Sequence, residues 1–426
     1  MVRPGRAGDR PGMTQTAPRP LFVAALLTGL IAAVFGFGIY LFPVLLPDMR
    51  AGLGFGYDTA GLATAIAQAG FFTASLAGAV AAPRFGAVPT MALALLASVL
   101  ALTAMAAASH IFTVMALLFV LAGAAALGWT PVAEIVQATI PARHRGLVLG
   151  LVSSGTSYGV FLNGALVPPV LAIAGWRGAW LMMALLTALL LAAFVLQLRS
   201  VQPASPARPE ERWEPAAVRH GPVVVLVAIM FATGLACAPL QTYLGGLLRE
   251  DGGWDAQAAT QVWSVLGVAG MIGGVAFGWL ADRLSVRLAL VLAATVLLLA
   301  VLGLTRPAEK LLVYPAIAGF GIAFMAMFGL VPAYLARTVV GAGATRMFGI
   351  VNMALAVGNM TGNLAGGLLR ASTGSFLPLY GAIAVVVLAV LILAILLPDE
   401  RRGTVAKSAH KTAACPDPPH TPLLRE

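Results

Sequence analysis

Apolar runs long enough to cross a bilayer recur along the whole chain, separated by short stretches carrying charge, Gly or Pro. They fall at 21–46, 59–82, 88–108, 111–139, 147–171 and 178–197, and again at 222–248, 257–281, 288–305, 311–336, 346–370 and 376–397. A membrane-spanning helix needs roughly 20 such residues, because in hydrocarbon only its own hydrogen bonds satisfy the backbone. The pattern therefore predicts an all-α membrane protein with twelve transmembrane helices. Residues 199–220, rich in Pro, Arg and Glu, divide them six and six. The expected organisation is an N-terminal tail (1–20), a six-helix bundle (21–198), a linker (199–220), a second six-helix bundle (221–398) and a C-terminal tail (399–426). The two tails show no packable pattern.

Composition agrees. Of 426 residues 60% are hydrophobic and 10% charged, too little polar surface to cover a water-soluble core of this size. The lipid bilayer is thus an expected partner. The net charge of +10 does not point to nucleic acid, because the basic residues sit singly between apolar runs. Assigning alternate loops to opposite sides puts 20 of the 26 Lys and Arg on the side of both termini. Positive residues are retained in the cytoplasm, so both termini are expected there, in a multi-pass inner (plasma) membrane protein. The Ala, Leu, Gly and Arg bias reads as bacterial. The first run is too long for a cleaved signal peptide and is expected to persist as a helix. Cys237 and Cys415 give neither a disulfide framework nor metal spacing. All five His fall in loops or tails and no nucleophile–base set can be drawn, so neither an enzyme, a cofactor nor a metal is expected.

The halves echo one another: Gly128, Pro131 and Arg145 recur 201 residues later as Gly329, Pro332 and Arg346. The run Gly278-Trp279-Leu280-Ala281-Asp282-Arg283-Leu284-Ser285-Val286-Arg287 resembles the loop signature of major facilitator transporters, with Ser285 where Gly is usual. The matching loop Pro83-Arg84-Phe85-Gly86 keeps Arg and Gly but has Pro at the Asp position. Residues 141–180, through Gly155-Thr156-Ser157-Tyr158-Gly159 and Gly175-Trp176-Arg177-Gly178-Ala179-Trp180, resemble carriers of small organic anions. The likeness is to the monocarboxylate and oxalate/formate branches and to bacterial relatives of those. It implies two pseudo-symmetric six-helix bundles that rock around a central site, working as a monomer. The implied cargo is a small organic anion such as a monocarboxylate, carried with protons. Two departures leave alternatives open. Phe119 stands where many proton-coupled members have Arg, and no Arg lies deep in a run to meet a carboxylate. An exporter of amphipathic drugs or metabolites, and a non-transporting sensor or scaffold, are the other readings.

Polar residues inside the runs are costly against lipid and should face a cavity or another helix. The runs that the resemblance makes peripheral, the third, sixth, ninth and twelfth, contain no Asn, Asp or Glu. By depth, Tyr40, Gln68, Ser157, Tyr158, Asn163, Thr233, Gln241 and Asn359 are the candidates to line a cavity for a small-molecule substrate. Interhelical hydrogen bonding is the alternative for each. Glu134, the one acid well inside a run, is the candidate for proton coupling, with an ion pair to Arg84, Arg143 or Arg145 as its alternative. Arg84, Asp282, Arg283 and Arg287 are candidates for a charge latch between the halves.

Overall fold

The computed structural model describes residues 20–198, 220–338 and 342–400, and among these there are helices and turns but no strand. The expected linker and tails lie almost wholly outside the described residues. The first pass is α1 (Pro20–Ile31), a π-helical turn (Ala32–Phe37) and α2 (Leu41–Leu53). Then come α3 (Tyr57–Phe85), α4 (Ala87–Ala106), α5 (Ile111–Trp129) and α6 (Val132–Thr139), the last two forming one pass broken at Pro131. The fifth pass joins α7 (Arg145–Ser153) to the first part of α8 (Gly155–Leu198), and the rest of α8 is the sixth. Gly175, at φ 63° and ψ −170°, makes the reversal between them, a backbone that a side chain would oppose. The second half has α9 (His220–Gly246) with a π-helical turn (Leu247–Asp251), α10 (Ala256–Arg283), α11 (Val286–Leu304), α12 (Lys310–Thr338), α13 (Ala342–Thr373) and α14 (Leu377–Leu396).

Ten helical stretches among the described residues are long and apolar enough to span a membrane. One of them, Ala142–Leu198, holds two passes around Gly175. The 32-residue α13 falls outside the ten because Asn352, Asn359 and Asn363 dilute its apolar character. Counted this way the described residues make twelve passes. The first runs past its expected end at 46 to Leu53, and the seventh past 248 to Asp251. Both extensions carry charges that read as loop in the sequence and are in fact paired across the halves.

The face where α1 begins and α14 ends is called here the terminal face; the other is the far face. Helices α4, α11 and α14 pack chiefly within their own half, whereas α3 with α13, α8 with α10 and α2 with α9 join the halves. Ser285, the departure from the loop signature, caps α11 by accepting the Leu288 N–H at 3.1 Å. Asp255 caps α10 in the same way through Ala258, and that hydrogen bond holds its carboxyl below the usual range.

Candidate functional site

Where the two halves meet near mid-membrane, a cavity of about 100 Å³ opens. Six passes contribute: the break between the π-helical turn and α2, and then α3, α5, α9, α12 and α13. That break is the irregular element. After the π-helical turn the amides of Ile39 and Tyr40 both donate to the Phe35 carbonyl, at 2.9 and 3.1 Å, so the backbone is satisfied although the helix is interrupted. Irregular backbone at membrane depth is tolerated where it borders a cavity, and here it turns Gly38, Ile39 and Tyr40 toward one.

Of the eight cavity candidates, Tyr40, Gln68, Gln241 and Asn359 line this space, joined by Thr64, Thr242 and Asn363, which the sequence had not singled out. Phe324 and Phe328 form an aromatic wall at 4.8 Å centroid separation. No lining side chain is ionised at neutral pH. Two buried amide atoms on this wall lack a hydrogen-bond partner: Gln241 Nε2 and Asn363 Oδ1, on side chains only 6% and 4% exposed.

Four candidates lie elsewhere. Asn163 is fully buried and donates to the Gly36 carbonyl at 2.7 Å, fastening α8 to the π-helical turn. Ser157 is buried where α8 crosses α10 beside Gly270. Thr233 is buried with its hydroxyl toward Met327 Sδ at 3.5 Å. Each sits at mid-membrane depth, but helix rotation turns it to a neighbouring helix, a direction that depth along a run does not specify. Tyr158 is 38% exposed and does not border the cavity.

The halves are sealed on the far face. Glu250 accepts hydrogen bonds from Arg50 at 2.5 Å, from the Tyr57 hydroxyl at 2.7 Å and from Arg370 at 2.7 Å. Asp48 pairs with Arg249 at 2.7 Å. Arg50 and Tyr57 belong to the first half and Glu250 to the second, as do Asp48 and Arg249 respectively, so both knots cross the interface. The Tyr57 ring packs edge-on against Phe376 at 4.9 Å and Tyr243 at 5.9 Å. Beneath them the Gly367 position of α13 meets the Tyr57 backbone of α3, and the Gly164 position of α8 meets the Ser264 backbone of α10. Toward the terminal face the same helices separate: a side chain at Gly146, Gly150, Gly274, Gly278 or Gly349 would meet open space.

Three of the expected latch residues have partners within the second half. Asp282 pairs with Arg337 at 2.6 Å, Arg283 lies 4.5 Å over the Trp279 ring, and Arg287 donates to the Ile395 carbonyl, all within the second half. Arg84 is exposed at the end of α3. Glu134 is half-buried in the first turn of α6, beyond Pro131 and away from the cavity. Among the described residues no basic group lies within ion-pair distance of it. Arg145 instead donates to the Gln137 and Ile140 carbonyls at the end of α6.

A sequence profile of the Major Facilitator Superfamily matches residues 28–345. Monocarboxylate transporter 13 of Bos taurus is 28% identical over 245 residues, covering 55% of each chain, so the match spans about half the length of that relative. Among solved structures, the nucleoside transporter NupG superposes with a TM-score of 0.73 at 11% identity, covering 89% of this chain and 100% of that one. A D-xylose-proton symporter gives 0.72 at 15%, covering 90% and 99%. A bacterial homologue of the lysosomal transporter Spinster, inward-facing and unoccupied, gives 0.68 at 14%, covering 89% and 95%.

Proposed function

Because the chain belongs to the major facilitator superfamily, we propose that it is a secondary carrier of a small organic acid of the monocarboxylate class, moved with protons by alternating access. The observation that carries this reading is the central cavity: contributed by both halves, closed toward the far face by ion pairs, and small. A space of about 100 Å³ has room for a short acid. The likeness to a monocarboxylate transporter supports the cargo class. The excess of Lys and Arg on the terminal face supports a cytoplasmic side for that face, and on that reading the present arrangement is inward-facing. Glu134, a carboxylate at the cytoplasmic end of the fourth pass, takes the proton from departing cargo and hands it to water.

The test is uptake of labelled monocarboxylates into proteoliposomes under an imposed proton gradient, comparing the native chain with Glu134→Gln. Gradient-driven uptake that falls about tenfold in the variant is the expected result. Failure of every monocarboxylate to move, with reconstitution verified, rejects the cargo class. Unchanged uptake in the variant rejects the role of Glu134.

A further inference from the structure

We infer that the cavity holds its cargo in uncharged form, as the protonated acid, so that the transported proton crosses the membrane on the cargo itself. This rests on the reading of the protein as a monocarboxylate carrier and adds which species the site selects.

The wall decides the point. From all six passes that line it, the cavity receives amides, hydroxyls, aromatic rings and aliphatic groups, and no ionised side chain. Its titratable lining group is the Tyr40 phenol, with the Cys237 thiol buried nearby on α9. The ions beyond the lining residues lie toward the far face: Asp48 and Arg50 beyond Pro43, Arg249 and Glu250 beyond Gln241, and Arg370 beyond Asn363. Arg370 is seven residues from Asn363, about 10 Å along a helix. Arg50 and Arg370 are joined through Glu250, and Arg249 is paired with Asp48, so each of these guanidiniums is already engaged by a carboxylate. On α3 the acid Asp58 is exposed in the first turn, and α5 has no ionisable residue. On α12 the charged residues sit near its ends, at Lys310 and Arg337. A carboxylate placed here would lose its hydration without gaining a cation, at a cost of several kcal/mol.

The amides on the wall specify what fits instead. Gln241, Asn359 and Asn363 border the cavity, and each amide carries an N–H donor and a carbonyl acceptor. A carboxylate only accepts hydrogen bonds and could serve the donors alone. A carboxylic acid offers a carbonyl to the donor and a hydroxyl to the acceptor, as does a primary amide through its NH₂. Phe324, Phe328 and Leu118 supply the apolar surface for a short carbon chain. On entry the acid carries its proton in with all bonds intact. On reaching the cytoplasmic vestibule it gives its proton to Glu134, which passes it to water, and the carboxylate left behind is solvated there.

Isothermal titration of the purified full-length protein in detergent with lactate and with lactamide tests this without the leak of neutral acids through liposomes. The expected result is that lactate affinity falls about tenfold for each pH unit between 5.5 and 7.5, because the acid fraction falls tenfold per unit above its pKa. Titrations in buffers of different ionisation enthalpy should show one proton taken up per lactate bound. Lactamide should compete with lactate, with an affinity independent of pH and no proton uptake, and Gln241→Leu should weaken both ligands alike. Lactate that binds with flat affinity and no proton uptake, while lactamide fails to compete, overturns the inference but leaves the carrier reading intact. If neither ligand, nor any monocarboxylate in a panel of chain lengths, binds at any pH, the carrier reading itself is lost. If amides bind and acids never do, the uncharged site stands and the acid as cargo is rejected.

Discussion

Glu250 concentrates the inter-half contact into one side chain. Its carboxylate satisfies two guanidiniums and a phenol, with Arg50 from one half and Arg370 from its own. Charge-assisted bonds of this kind are roughly twice as strong as neutral ones, and their partners are partly shielded by the Tyr57 and Phe376 rings. Glu250→Gln keeps the shape and one acceptor oxygen but leaves two adjacent cations without a counter-ion. The expected outcome is a shift of the conformational equilibrium toward opening of the far face. Spin labels at Asp58→Cys and Gln257→Cys, exposed on the far face of opposite halves, would report it in a background without the native cysteines. A longer inter-label distance, gaining several-fold in population, is predicted from pulsed dipolar spectroscopy. An unchanged distribution would mean that the aromatic packing alone keeps the face shut. None of this was legible from Glu250 in the sequence, where it sat in a short loop beside Arg249. A charge reads as a loop until its partner is known, and the partners lie 200 and 120 residues away in the chain.

Helices divide into stretches that touch across the halves and stretches that wait. In α8 and α10 the far-face positions Gly164 and Gly267 approach backbone so closely that a Cβ would collide with the opposing helix. At the terminal end of the same pair, Gly146 and Gly150 of α7 and Gly274 and Gly278 of α10 face open space. Small residues let helix backbones approach, so the second set is the surface that closes when the first set parts. Gly150→Leu is therefore expected to leave folding and cargo binding with the far face closed unchanged while reducing transport at least tenfold, because the added side chain obstructs only the state in which the terminal face closes. Gly164→Leu should do the reverse and loosen the far face, seen as a longer distance between the labels described above. Reconstituted transport, cargo binding and thermal melting, measured together on both variants, separate the two effects. The elements themselves were readable from periodic apolar runs and from the polar residues missing in α4, α11 and α14. The π-helical turns were not readable, because an extra residue in a helical turn leaves the hydrophobic pattern almost unaltered. Nor was helix rotation, and that is why Ser157, Asn163 and Thr233 were expected at a cavity they do not reach while Asn363 was passed over.

Two halves related by a pseudo-two-fold axis bring equivalent positions face to face along that axis, as in an isologous dimer. The repeat spacing of 201 seen at Pro131 and Pro332 also relates Asp48 to Arg249, and these two residues form the ion pair that crosses the interface. Identical residues at such positions would meet like charge with like. Here the repeat has diverged to opposite signs, and the meeting of equivalents becomes an attraction that holds the far face shut. The side chains are 20% and 26% exposed, so the pair is partly protected from solvent screening. Asp48→Arg alone places two cations together beside Arg50 and should drive the equilibrium toward far-face opening. Arg249→Asp alone joins an acid to Asp48, Glu250 and Asp251 and should do the same. Exchanging both charges restores opposite signs at nearly the same positions, because the axis makes the two sites equivalent. The double variant is therefore expected to recover most of the population with the far face closed, with a coupling of about 1 kcal/mol, or roughly fivefold in the ratio of states. The measurement is a double-mutant cycle on the label distances, repeated at high salt, where a partly exposed pair should lose part of its coupling. Effects that simply add would show that Asp48 and Arg249 act through Glu250 and Arg50 rather than on each other, and would assign closure of the far face to the Glu250 cluster alone.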